Sequence, residues 1–371
     1  MKIAFLADPL DTQYAGIHVF CKELLFAIDQ LNTDHDISVI RPLKKNEFKS
    51  LKEVVVPIRK ALLIHHRARL FTTIPKYLKK NNFDVVVELA HFGPFGLPDS
   101  IAQVTYIHDL TPVTHKKFHG VASQKIHKFL LPKILQKSHL ILCNSLQTKN
   151  DINSFVPSIE DKIQIIHLGI SDFYKPAFDA NAIKKLGISM PFILHVGTLE
   201  PRKNIPFLIS AFNELRNNNK NIELQLVLTG KPGWDYQEII DALGESDYKQ
   251  DIIVTDFVPQ SDLRVLYTHA ECLVLPSYYE GFGLPVLEAM ACGCPCLISG
   301  EGALKEVGGD AAIYFDIEDR LALIQQIETM VLSQDQQLKW REKALEHAKN
   351  FSWKHTAKAF IESLEKLNFS S

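Results

Sequence analysis

The chain has 371 residues, of which 46% are hydrophobic and 23% charged, with a formal net charge of −2. That length exceeds one comfortable core and implies two domains, while the near-neutral balance offers nothing to a nucleic-acid partner. No apolar run approaches the roughly 18 residues of a spanning helix, and the six cysteines, Cys21, Cys143, Cys272, Cys292, Cys294 and Cys296, read as reduced thiols rather than a disulfide framework.

The N-terminal MKIAFLADPLD carries one lysine and a short apolar run, then meets Asp8, Pro9 and Asp11 instead of a small-residue cleavage site. It reads as a first β-strand, not a signal peptide, which makes the cytoplasm the simplest compartment. In residues 17–31, Ile17, Phe20, Cys21, Leu24, Ile28 and Leu31 share one helical face. The runs KIAFLAD, DISVIR, DVVVELA, VTYIHD, HLILCNS and KIQIIHLG then alternate with helical segments. Runs that are nearly all apolar suit parallel strands covered on both faces.

Residues 44–80 are locally basic, with Lys44, Lys45, Lys49, Lys52, Arg59, Lys60, Arg67, Arg69, Lys76, Lys79 and Lys80. They read either as a solvated helical face or as a peripheral contact with anionic lipid. The polar, proline-containing stretch 171–191 reads as a linker. After it FILHVG, LQLVLTG, DIIVTDF, ECLVLPS, CPCLIS and AAIYFD restart the alternation. Two doubly wound α/β domains are therefore expected, over 1–175 and 188–352, with ligand crevices beyond the carboxyl ends of their strands. A central cleft between them is a natural meeting place for two substrates. A last helix within 353–371 is expected after NFSW, with packing back on the first domain left open.

The stretch SYYEGFGLPVLEAMACG, residues 277–293, joins a strand to a helix whose first turn holds Pro285. Gly281 and Gly283 permit unusual backbone angles and close approach by a ligand. The free N–H groups of the helix start favour an anion, most simply phosphate. Glu288 lies one turn in, and helical side chains lean toward the N-terminus, so its carboxylate can turn back to accept a pair of ribose hydroxyls. Glu280 can reach whatever the phosphate carries. The plainer alternative is a surface acid and an ordinary first-turn helix acid.

FILHVGTLEPRKNIPFLISAFNEL is again strand, loop and helix, with Asn204 as the expected N-cap. Arg202 and Lys203 precede that helix start, where the dipole disfavours cations by roughly 0.3–1 kcal/mol each. An anion between them and the helix reverses the sign, and a fork plus a point charge suits a diphosphate. Two solvated loop cations are the alternative. The spacing of Cys292, Cys294 and Cys296 is not that of a metal site, and DHD at 34–36 reads as a chance spelling of DxD.

With these features in place, HDLTPVTH, GTLEPRKN, LVLTGKPGW and EGFGLPVLE, in that order along the chain, closely resemble the retaining glycosyltransferases of family 4, over nearly the whole chain. The resemblance implies a GT-B fold of two Rossmann-like domains and a nucleotide-sugar donor held by the second. It implies that Arg202 and Lys203 contact the diphosphate and Glu288 the ribose. Glu280 and the backbone of Gly281, Phe282, Gly283 and Leu284 would touch donor sugar and phosphate. Thr198 stands where some relatives carry an arginine. From the first domain, Gly16 in YAGIHVF, His108 in YIHDL and, with less support, Asp109 would reach the donor. The leaving phosphate would be stabilised electrostatically, without metal or other cofactor.

The function so implied is retaining transfer of a hexose, with mannose from GDP-mannose as the expectation, to a growing glycan or lipid-linked acceptor in surface polysaccharide synthesis. Peripheral contact with the inner face of the cytoplasmic membrane would suit that acceptor. Three alternatives stay open: a UDP-sugar-dependent transferase, a GT-B sugar-nucleotide epimerase, and a non-catalytic glycan- or partner-binding relative.

Overall fold

The computed structural model describes residues 1–12, 16–57 and 65–367. Tyr14 and Ala15 of YAGIHVF, Arg59 and Lys60 of the basic stretch, and residues 368–371 lie outside them. The chain divides into two compact units, Met1–Gly169 with Ser352–Ser371, and Ile170–Phe351.

Among the described residues the first unit holds seven parallel strands: β1 Lys2–Leu6, β2 Asp36–Arg41, β3 Lys52–Val55, β4 Val85–Glu88, β5 Ala102–Ile107, β6 Leu140–Cys143 and β7 Ile163–Ile165. Their order is β3-β2-β1-β4-β5-β6-β7. The runs are apolar because helices cover both faces. On one face the helix Gly16–Asp29 buries Phe20, Cys21, Leu24, Leu25 and Ile28. The last helix, Trp353–Glu365, packs beside it, with the Phe360 ring 5.8 Å from Phe5 and Trp353 6.2 Å from Phe20. Thr356 donates to the His167 carbonyl at 2.8 Å. Gly169 permits this approach, since a Cβ there would lie 2.0 Å from the Trp353 nitrogen.

The basic stretch divides by environment. The helix Thr73–Lys80 turns Ile74 and Leu78 into a core with Leu6, Phe83 and Val86, and leaves Lys76, Lys79 and Lys80 exposed. Arg41 is fully buried against Asp11 at 2.7 Å and Glu47 at 2.6 Å. Arg69 is buried against Asp8 at 2.8 Å.

The second unit's sheet comprises β8 Phe192–Val196, β9 Gln225–Thr229, β10 Ile252–Val254, β11 Cys272–Leu275, β12 Cys296–Ser299 and β13 Ile313–Phe315. They are parallel, in the order β10-β9-β8-β11-β12-β13. The helix Ile205–Asn218 seals one face with Ile205, Leu208, Ile209, Phe212 and Leu215. Burying five such side chains contributes roughly 8–15 kcal/mol before chain entropy is counted. Stretch 171–191 belongs to this unit and contains the helix Ala180–Lys185, capped by Asp179. All six cysteines are buried free thiols. Among the described residues no helix is long and apolar enough to cross a membrane.

Candidate active site

In the second sheet the order reverses between β8 and β11, so the loops leaving these two neighbours diverge and open a crevice at their carboxyl ends. β8 runs into Gly197, whose φ of 151° demands glycine. A 3₁₀ turn, Pro201–Lys203, follows, and then the helix Ile205–Asn218. β11 runs through Ser277 and Glu280 to Gly283, at φ 112°, and the helix Leu284–Ala291. Both predicted phosphate features thus stand at one switch point.

The side chains converge further than the spacing implies. The Lys203 ammonium lies 2.5 Å from Glu280 Oε1, and Arg202 Nη1 lies 3.0 Å from Oε2. Ser277 donates to Oε1 at 2.7 Å. Lys203 and Glu280 are each only 7% exposed, so this is a buried charge cluster whose members compensate one another. Burial by itself would raise the Glu280 carboxyl, but the Lys203 and Arg202 charges and the Lys203 and Ser277 hydrogen bonds outweigh it and bring it to about 2. His195, fully buried at the end of β8, donates Nδ1–H to the Val274 carbonyl at 3.0 Å. Burial, then the Lys203 charge, lowers it to about 4, so it stands neutral beside the cluster.

Three sequence expectations change here. Arg202 spreads its fork over protein: Nε and Nη2 donate to Glu200 Oε1 at 3.0 and 2.7 Å, and Nη1 to the Tyr279 carbonyl at 2.7 Å. It ties the two loops together in this structure. The Glu280 carboxylate points at the cations, not outward alone. Asn204 stands at the N-cap position, but in the left-handed region at φ 53° and with no side-chain cap bond. A capping side chain works from an extended backbone, which the left-handed angle does not supply.

Glu288 is nearly buried on its helix and accepts from the Tyr267 hydroxyl at 3.0 Å. Phe282 is buried, Leu284 opens the helix, and a Cβ on Gly283 would come within 2.9 Å of Leu304. Ser277, Glu200, Tyr267 and His195 are absent from the sequence reading. Ser277 and Glu200 carried one local clue, polar residues three before Glu280 and two before Arg202.

The other candidates lie in the first unit. Gly16 is exposed and begins its helix. His108 follows β5 and is 8% exposed. Its Nε2–H donates to the Leu89 carbonyl at 2.8 Å, while its backbone N–H donates to His91 Nε2 at 2.9 Å. Burial lowers His108 to about 4, opposed by the Leu89 bond and Asp109; burial and the His108 charge lower His91 to about 3. Both rings are neutral at physiological pH. Asp109 Oδ1 accepts from the Thr111 N–H at 2.9 Å and its hydroxyl at 2.6 Å, which closes the turn into the helix Thr111–Thr114. That sheet reverses order between β1 and β4. Beyond their ends lies a cavity of about 250 Å³, lined among others by Asp8, Glu88, Phe71, Phe92 and Phe95. Burial, then the Asp8 charge, pushes the Glu88 carboxyl well up.

Comparison with known proteins gives this architecture its class. The solved structure of sucrose-phosphate synthase from Thermosynechococcus elongatus superposes with a TM-score of 0.76 at 18% identity, covering 100% of both chains. HepE of Anabaena, solved with UDP-glucose, gives 0.77 at 16% identity, over 99% of this chain and 100% of that one. The fold is GT-B. The models "Glycosyltransferase Family 4" and "Glycosyl transferases group 1" match residues 14–172 and 179–347. The O-antigen chain mannosyltransferase B of Escherichia coli is 30% identical over 96% of this chain and 97% of its own length. The chain belongs to family 4 of the glycosyltransferases, in its mannosyltransferase-like branch, and is a glycosyltransferase.

Proposed function

We propose that the protein is a retaining mannosyltransferase that takes mannose from GDP-mannose and extends a surface polysaccharide of the O-antigen kind. The observation that carries the donor half is the buried Lys203–Glu280–Arg202 cluster at the second sheet's switch point, beside two helix starts. A diphosphate leaving group suits it, because preorganised cations and helix N–H groups meet charge as it develops. Lys203 and the backbone of Gly281, Phe282, Gly283 and Leu284 take the phosphates, Glu288 the ribose, and Glu280 orients Lys203 toward them. Arg202 acts at one remove, as the tie between the loops. Gly16, His108 and Asp109 are the first unit's candidates on the sugar side. Neither the sugar transfer nor the stabilisation of the leaving group calls on a metal.

Mannose is supported by the Escherichia coli O-antigen mannosyltransferase, which matches end to end. The structure of HepE with UDP-glucose favours a UDP-sugar as the second reading. For the acceptor, the cavity beyond β1 and β4 combines aromatic rings with two carboxyl groups. That lining suits an uncharged sugar: the raised Glu88 carboxyl can donate to a hydroxyl, and the Asp8 carboxylate disfavours a phosphorylated acceptor. We place the enzyme in the cytoplasm. Contact of residues 44–80 with an anionic membrane face would be electrostatic, through Lys76, Lys79 and Lys80, because Ile74 and Leu78 are committed to the core.

The test is transfer by the purified protein from GDP-mannose, UDP-glucose and UDP-galactose to synthetic mannosides and to mannose 6-phosphate glycosides. Products are read by mass and by the anomeric couplings in NMR. The expected product is an α-mannoside from GDP-mannose on the uncharged acceptor. Transfer only from a UDP-sugar, or an inverted anomer, overturns the proposal, and flotation of vesicles that persists in high salt removes the electrostatic membrane contact.

A further inference from the structure

The Glu288 carboxylate lies against two tyrosines from parts of the chain that no motif connects. Tyr267, fully buried on the helix Gln260–His269, donates its hydroxyl to Oε2 at 3.0 Å. Tyr174 comes from the segment that opens the second unit, and its hydroxyl interacts with the same carboxylate and with Gln260. The two rings meet edge to face, 6.3 Å apart. Tyr174 has little freedom to leave. The neighbouring Phe173 ring lies 4.7 Å from the Arg264 guanidinium, which also donates to the Phe173 carbonyl at 3.2 Å. Three residues on, the Ala177 N–H donates to Thr268 at 3.0 Å. Burial first, and the Glu288 charge after it, hold both hydroxyls protonated, so both remain donors throughout the working pH range.

We propose that Tyr267 and Tyr174 are positioning residues that fix the Glu288 carboxylate for its nucleoside, and so set the enzyme's preference for ribose over deoxyribose. A carboxylate has about four lone-pair sites. The Tyr267 hydroxyl takes one of them from the protein side, with Tyr174 packed beside it, and so fixes the direction in which the carboxylate meets a vicinal pair of hydroxyls. A glutamate without them has three free torsions and points nowhere in particular. The opening segment of the second unit is thereby part of the nucleoside site through one side chain. The inference rests on the reading of Glu288 as the ribose residue.

The experiment compares GDP with 2′-deoxy-GDP, and UDP with 2′-deoxy-UDP, by calorimetry on the full chain. It uses the wild type, Tyr267→Phe, Tyr174→Phe and Glu288→Ala, with kcat at saturating donor as the second readout. The wild type should prefer the ribonucleotide by about tenfold or more. Tyr267→Phe should lower that ratio by about three- to tenfold, and Tyr174→Phe should lower it less, because each loses one buried hydrogen bond. In both, KM for the donor should rise while kcat holds. Loss of the ratio in Glu288→Ala with no change in Tyr267→Phe overturns the positioning role and leaves the ribose reading intact. A ratio that survives Glu288→Ala, or a wild type that does not discriminate, overturns the ribose reading and this inference with it.

Discussion

Glu280→Gln isolates the charge of the buried cluster while keeping its shape. The carboxylate is the counter-charge for Lys203 at 2.5 Å and for one arm of Arg202 at 3.0 Å, with side chains 10%, 8% and 17% exposed. Removing one partner of such a pair strands a buried ammonium, at a cost of roughly 3–5 kcal/mol. The carboxyl itself leads to a similar figure. A drop from 4.5 to about 2 corresponds to roughly 3 kcal/mol of stability at neutral pH, present above pH 4.5 and lost as the pH falls toward 2. For a unit of this size, each kcal/mol moves the midpoint by about 2–4 °C, so the second unit should melt roughly 6–20 °C lower. Calorimetric melting with and without GDP is the assay. Because GDP supplies the missing negative charge, its stabilising shift should be larger in Glu280→Gln than in the wild type. Adding Lys203→Met should restore much of the lost stability. A single variant that melts within a degree or two of the wild type, with an unchanged GDP shift, would refute the pairing as the source of the cluster's stability.

The buried histidines should weaken the fold in acid well before the ordinary carboxylates titrate. His91, His108 and His195 sit at about 3, 4 and 4 against an ordinary 6.5, so the unfolded chain binds their protons first and stability falls as the pH drops below 6.5. Between pH 7 and 5.5 each should cost about 1 kcal/mol; the raised Glu88 carboxyl acts in the opposite sense, so the roughly 3–4 kcal/mol histidine loss should be read by urea unfolding of Glu88→Gln across that range. Gly230→Ala should cost roughly 2–4 kcal/mol in the same assay, since φ is 151° and the new Cβ would lie 1.9 Å from the Gly197 carbonyl oxygen. Gly244→Ala, in a helix and facing open space, should gain up to about 1 kcal/mol, and a loss there would undercut the glycine argument.

The sheets are legible in the sequence for a physical reason. Parallel strands buried on both faces must be apolar throughout, and every strand but β3 stands out as such a run. β3 escapes because Lys52–Val55 is an edge strand with both end residues exposed, so nothing requires it to be apolar. That the loops of Lys203 and Glu280 open on one crevice is legible as well, because each lies just beyond a strand end and the doubly wound order brings those ends together, whereas their direct pairing is not. The grip of Tyr267 on Glu288 is not. It depends on where a hydroxyl points after one helix has packed against another, and no local spacing encodes that direction.

The charges themselves mark the limit of motif reading. Spacing presents Arg202, Lys203 and Glu280 as three groups free to face a substrate. The structure shows them already satisfied by one another, by Glu200 and by Ser277. A buried ammonium cannot wait uncompensated for its ligand, because desolvation would deprotonate it or unfold the loop that carries it. Glu280 therefore serves first as the placeholder for an anion. On the proposed donor reading, a diphosphate would have to compete with that carboxylate for Lys203 rather than add to an empty pair of cations, so its net gain would be a difference between two strong interactions. On the same reading the carboxylate would stand ready to take Lys203 back as the product leaves, so Glu280→Gln should hold GDP more tightly than the wild type.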